Sequence, residues 1–230
     1  MKLPQVQAYS DPIRFLRACH AVIEQQVMAL EGLVQEAKKV GLKQSFASNA
    51  EWGELLQFFS IEAAGHEKDE EAGLFPFVLE KEQRVGFLPA DSPIRFLVDG
   101  HAYLVSKVES LLDVWKQFLN KADPSSEASE HFISIAEEMV KAYREHISTE
   151  ENLVYKHAND ILTPAERMVI LERIYQRHDN EVSMPMLNFA QPTFTENLKS
   201  VPLDYTDATS SVSISEEPTE EEEEDVPKEE

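Results

Sequence analysis

The stretch DPIRFLRACH, residues 11–20, returns as SPIRFLVDGH, residues 92–101. Each copy opens as a helix: a capping acceptor, Asp11 or Ser92, and then a proline at the first helical position, where its missing N–H removes no intrahelical hydrogen bond. Each copy closes on a histidine, His20 or His101. His-x-x-x-Glu follows 46 residues after the first and 45 after the second: His66 with Glu70, then His146 with Glu150. The two copies are offset by 81 and 80 residues. A duplication that carries its histidines and carboxylates along points to one site built by both halves.

Working outward, helical signals dominate. The first helix should run from Asp11-Pro12 to about Val40 and stop at Gly41. A second should start near Ser48/Asn49 and reach about Glu82, with a kink or break at Pro76. A third should run from Ser92-Pro93 to about Ala122, and Asp123-Pro124-Ser125-Ser126 makes a turn. A fourth follows from about Ser126 to Asn159. Thr163-Pro164-Ala165-Glu166 combines a capping box with proline at the first position, so a fifth helix should extend to about His178. No strand-like alternation of comparable length is present. The expected fold is all-α: an up-down-up-down four-helix bundle of two duplicated α-hairpins, plus a C-terminal fifth helix and a disordered acidic tail. The expected division is 1–182 for the bundle with its extra helix, 183–203 for an irregular segment and 204–230 for the tail.

The apolar seams locate the site. Leu16, His20, Ile23, Val27, Leu30 and Val34 recur in alternating steps of four and three, as do Leu97, His101, Leu104, Val108, Leu111 and Trp115. The second helix presents Phe59, Ala63, His66, Glu70, Leu74 and Phe77. The fourth presents Phe132, Ile135, Met139, Tyr143, His146, Glu150 and Leu153. Such spacing keeps one stripe turned to a bundle core, and the four histidines and two glutamates sit inside it. A buried carboxylate is costly unless it is paired or bound to a metal. Residues i and i+4 share a helix face, so each His-x-x-x-Glu offers two ligands to one cavity. His20 and Glu70 lie at similar distances either side of the first loop, as His101 and Glu150 do of the second. At about 1.5 Å rise per residue, all four fall in one layer.

Four imidazoles and two carboxylates suit a pair of iron or manganese ions better than one structural zinc, which usually takes four ligands, often thiolates. Cys19 is the only cysteine. Ferritin-like bundles use Glu-x-x-His at i+3 with lone glutamates. The order here is His then Glu at i+4, with lone histidines.

At DPIRFLRACH, GHEKDEEAGLFPF, SPIRFLVDGH and EHISTEENLVY the chain resembles the hemerythrin-like (HHE cation-binding) family, over roughly Asp11 to Ala158. The resemblance implies an up-down four-helix bundle around two iron ions bridged by an oxo or hydroxo group, and so ranks manganese second. The implied ligands are His20, His66, Glu70, His101, His146 and Glu150, with Glu67 as an extra ligand by likeness to iron-sensing members. Five-histidine oxygen carriers place another histidine where this chain has Val105, and end on an aspartate five residues after its histidine. This chain has Glu150 at four and Glu151 at five. The pattern is more similar to members that sense or handle iron, oxygen, nitric oxide or peroxide.

The formal net charge is −22, of which 204–230, with twelve acidic side chains and one lysine, carries −11. Counterion-driven binding to DNA or RNA needs the opposite sign, so no nucleic-acid partner is expected. The tail is too poor in large apolar residues to offset its ordering entropy, and is read as disordered. No signal-peptide core or bilayer-length apolar run is read, so the expectation is a cytoplasmic protein without a membrane partner. The leading function is a non-haem di-iron protein that binds or senses O2, NO, peroxide or iron. The alternatives are a di-iron enzyme for peroxide removal or iron-centre repair, and a helical interaction module whose acidic tail docks a protein partner. His131, His157 and His178 lack repeat partners and are read as structural or exposed. Glu71 and Glu151 are read as facing outward or bonding ligand imidazoles, and Cys19 and Tyr143 as packing.

Overall fold

A computed structural model describes residues 2–48, 50–86, 92–120 and 125–183. Among them the chain is helical apart from short connections and has no strand. A 3-10 turn, Val6–Ala8, precedes α1, Pro12–Val40. Asp11 caps α1 by accepting from the Arg14 N–H at 2.9 Å. Gly41, at φ 89°, ends it, a backbone angle that costs a glycine little. A short α2, Leu42–Ser48, follows at once. Its Phe46 packs in an aromatic cluster with Trp52, Trp115, Phe118 and Phe132 that closes this end of the bundle.

The second rod, residues 51–84, is α3 (Glu51–Phe58), a π-helical turn Phe59–Ala63, α4 (Ala64–Asp69), a second π turn Glu70–Leu74, and α5 (Phe75–Arg84). The third rod is α6, Pro93–Leu119, capped by Ser92. The fourth, residues 126–161, is α7 (Ser126–Thr149), a π turn Glu150–Val154, and α8 (Tyr155–Ile161). α1 packs on α7 and α3, and α6 packs on α7 and α3, closing the four rods into a ring. α9, Pro164–Ser183, lies against this bundle. The predicted capping box forms: Glu166 Oε2 accepts from the Thr163 N–H at 2.8 Å, and Thr163 Oγ1 accepts from the Glu166 N–H at 3.3 Å.

The interruption expected at Pro76 takes the form of a π turn, Glu70–Leu74, directly before it, and α5 starts at Phe75. Three expectations need correction. Leu153 is not a seam residue: it is 54% exposed, while Val154 is buried at 1%. The π turn inserts one residue, so the α-helical phase used to place Leu153 no longer holds beyond Glu150. The third helix ends at Leu119, before the expected Ala122, which lies outside the described residues. α9 extends past His178 to Ser183, one residue beyond the expected limit of the bundle. The segment 184–203, the tail 204–230 and residues 123 and 124 of the expected turn also lie outside the described residues.

The core falls into two apolar clusters. One holds Ile23, Ala63, Leu104 and Ile147 with the residues toward the aromatic end. The other holds Leu16, Leu74, Phe75, Leu97, Val154 and Tyr155 with residues of α9. The predicted histidines and glutamates lie on the rods between the two. Burial of each large apolar side chain contributes about 1.5–3 kcal/mol, so the polar layer is held from both sides.

α9 breaks the symmetry of the halves. A Cβ on Gly73 would stand 3.0 Å from Ile174 Cγ1, so glycine makes room for this helix. At the corresponding place in the second half stands the exposed Leu153. Asp69, 1% exposed, clamps α9: Arg177 Nε donates to its Oδ1 at 2.6 Å, and His178 Nε2 lies 2.8 Å from its Oδ2.

Candidate metal centre

All six residues singled out by the repeat converge. His20 comes from α1, His66 from α4, His101 from α6 and His146 from α7. Glu70 and Glu150 each open a π turn. Five of the six are 3% exposed or less, and the His146 side chain is 10% exposed. The rings pair by half-site, His20 with His66 at 4.8 Å between centroids and His101 with His146 at 4.6 Å.

The Nε2 atoms face the two carboxylates. His20 Nε2 lies 3.1 Å from Glu150 Oε2, and His146 Nε2 lies 2.9 Å from Glu150 Oε1. His101 Nε2 is 3.5 Å from both Glu70 Oε2 and Glu150 Oε1. His66 Nε2 is 3.7 Å from Glu70 Oε2. Yet Nε2 of His66, His101 and His146, Glu70 Oε2 and both Glu150 oxygens make no hydrogen bond. Buried polar atoms are rarely left so. Here they point at one another, which fits an arrangement completed by cations.

Two sets of four residues have donor atoms within 4.8 Å of one another: His20, His66, Glu70 and Glu150, and Glu70, His101, His146 and Glu150. Both glutamates belong to both sets. A carboxylate has two oxygens, so one placed between two ion positions can serve each of them.

The outward ring nitrogens are held by the other half of the chain. His20 Nδ1 lies 2.9 Å from Glu151 Oε1, and His101 Nδ1 lies 2.8 Å from Glu71 Oε1. An ionised carboxylate only accepts, so each imidazole donates from Nδ1. A neutral ring then keeps its Nε2 lone pair for the interior. These glutamates are the residues read as bonding ligand imidazoles.

Burial and neighbouring charges oppose one another across the cluster. Burial works to lower the pKa of His20, but the nearby Glu150 carboxylate and the hydrogen bond to Glu151 outweigh it and push it up to about 10. Burial likewise opposes the charge on His101, and Glu150, Glu70 and Glu71 hold it raised. His66 is lowered by burial and by the neighbouring His20. Glu70 is pushed up to about 7 by burial and by the charge of Glu150. Burial also opposes the charge on Glu150, but His146, His101 and His20 hold its pKa well below the carboxylate range.

Beside the cluster is a cavity of about 10 Å³ walled by Ile23, Ala63, Glu67, Tyr143 and Ile147 together with cluster residues, on the scale of one water molecule. Glu67 stands apart from both ligand sets. It lines the cavity with the buried Tyr143, and burial raises its pKa to about 8. Glu24, one helical turn after His20, is exposed. Val105 is 38% exposed, so the α6 position that carries a histidine in five-histidine carriers faces away from this interior. Cys19 is buried, and burial raises its thiol pKa well above the ordinary value.

Sequence reasoning missed Tyr155 and Gly100. Tyr155 is wholly buried and its hydroxyl donates to Glu70 Oε1. It stands five residues after Glu150, as Phe75 stands five after Glu70, so carrying the repeat five residues further was the available signal. Gly100 lies beside His146, where a Cβ would fall 2.9 Å from Nδ1.

Together the fold and the cluster define a helical bundle that presents paired histidines and shared glutamates to cations. The model of the hemerythrin HHE cation-binding domain matches residues 11–158. The chain belongs to that family, and the match spans both copies of the repeat. Among curated proteins and among solved structures, none matches this chain. Among the described residues, no helix is long and apolar enough to cross a membrane.

Proposed function

We propose that this chain is a non-haem di-iron protein that binds or senses a small species, O2, NO, peroxide or iron itself, with His20, His66, Glu70, His101, His146 and Glu150 as the metal ligands. The observation that carries this reading is the sharing of Glu70 and Glu150 between two four-residue ligand sets. Iron is favoured over zinc because the donors are imidazole and carboxylate without thiolate.

Bound iron would supply a redox-active centre able to take a small ligand. The chain itself does the rest. Glu71 and Glu151 orient His101 and His20. The layers of Ile23, Leu104 and Ile147 on one side and Leu16, Leu97 and Val154 on the other exclude bulk water. The small cavity suits a diatomic molecule or peroxide and leaves no room for a larger substrate. Ligand imidazoles must be free of their inner protons to bind a metal, so uptake should release protons and strengthen as pH rises. The bundle with α9, 1–182, is the proposed binding unit. A cytoplasmic setting accords with the single, buried cysteine.

The test is metal analysis with an absorption spectrum on protein purified without chelator or added metal. Two irons per chain with near-ultraviolet charge-transfer absorption are expected. His146→Ala should lose iron while keeping its helicity. Iron content unchanged in that variant would sink the assignment.

A further inference from the structure

Tyr155 and Phe75 occupy corresponding positions in the two halves, and each stacks on the first-helix histidine of the other half. Phe75 lies on His101 with centroids 5.9 Å apart and planes 10° apart, and Tyr155 lies on His20 at 5.1 Å and 8°. Both aromatics are wholly buried. Only Tyr155 carries a hydroxyl. That hydroxyl donates to Glu70 Oε1 and lies 3.3 Å from His20 Nε2. Glu70 Oε2, which faces His66 and His101, has no hydrogen-bond partner, and neither Glu150 oxygen has one. The two ligand sets have the same composition and share both carboxylates, but this single proton falls on the His20 side of one of them.

We infer that Tyr155 is a positioning residue that makes the two ion positions inequivalent, so that the His20/His66 position binds a divalent cation more weakly than the His101/His146 position. This rests on the two-ion reading above. A carboxylate oxygen that already accepts a hydrogen bond shares its electron density between that proton and a cation. The hydroxyl also crowds the nitrogen that His20 turns toward the ion. Phe75 offers neither effect to His101. Acceptors that hold ligand imidazoles raise metal affinity by about 10–100-fold; a donor to a ligand carboxylate draws electron density the other way, and we take an effect of the same order with the opposite sign. The two positions are therefore filled in order, His101/His146 first.

The test is stepwise addition of Co2+ to the full chain stripped of metal, followed by visible absorption and calorimetry. Two steps of one ion each, separated by about ten-fold or more in affinity, are expected for the native sequence. In Tyr155→Phe, which makes the halves alike at this position, the second step should tighten and merge with the first. Phe75→Tyr, which adds the hydroxyl to the other half, should weaken the first step instead, so the inference stays testable if Tyr155→Phe folds poorly. Two ions entering the native chain in a single step overturn the inference and leave the di-metal reading standing. So does an unchanged separation in Tyr155→Phe. Uptake of no ion, or of only one, overturns both.

Discussion

Glu151 of the fourth rod reaches across the bundle to His20 of α1, with Oε1 2.9 Å from Nδ1. Its other oxygen, Oε2, lies 3.0 Å from Arg17 Nε, one helical turn before His20. Glu71 and His101 repeat the contact in the other half at 2.8 Å. Each hairpin thus orients a histidine that belongs to the other, and neither half-site is complete without both copies of the repeat.

Glu151→Ala should remove the acceptor that fixes the His20 ring. Metal affinity should fall by about 10–100-fold, the usual effect of losing such a partner, while the helical signal stays near native. Equal metal affinity in the variant and the parent would show that packing alone holds the ring.

Gly100→Ala should damage the site more than the fold. The added Cβ would meet His146 Nδ1 at 2.9 Å, and the ring can yield only by leaving its place opposite Glu150. Gly32→Ala is the control, since nothing lies within 4 Å of a Cβ there. Replacing an exposed helical glycine should stabilise the chain by about 0.5–1 kcal/mol. Metal content and thermal unfolding measured on both variants decide the matter. Full metal content in Gly100→Ala refutes the argument.

Acid should loosen α9. Lys81 and the N–H and hydroxyl of Thr163 hold the Glu166 carboxyl down at about 2, and Lys81 Nζ lies 2.8 Å from its Oε1. Burial alone would raise Asp11, but hydrogen bonds from Arg167 and Arg14 keep it below its ordinary value. Both pKa values are depressed on folding, so their stabilisation is present above the ordinary values of 4.5 and 3.8. It is lost as pH falls toward the folded values, about 2 for Glu166. Hydrogen exchange in 164–183 should therefore accelerate as pH is lowered from about 4.5 toward 2, once the intrinsic pH dependence is corrected for. Glu166→Gln should flatten that response. A response as steep as the parent's would assign it to other groups.

Much of the architecture was legible because its signals are local. A capping residue followed by proline marks a helix start whatever surrounds it, so the openings at Pro12, Pro93 and Pro164 are read directly. The step pattern of Leu16, His20 and Ile23 places those residues on one face by geometry alone. The π turns were not legible. Glu70–Leu74 and Glu150–Val154 carry no residue type that demands a wider turn, and only packing around the cluster selects one. The cost of reading straight α-helix through Glu150 was the misplacement of Leu153.

The repeat with its six polar residues determined, without coordinates, that this chain folds as two related helical hairpins gathered around one polar layer. A carboxylate in an apolar seam must meet a positive partner there, and helical periodicity is a property of the chain itself. Tertiary structure alone decided how those residues meet. It made both glutamates common to two ligand sets, crossed Glu71 and Glu151 to histidines in the other half, set Tyr155 against Glu70, and laid α9 over Gly73. Each of these joins residues far apart in sequence, and their distances depend on rod phase, crossing and register, which follow from the packing of the whole core.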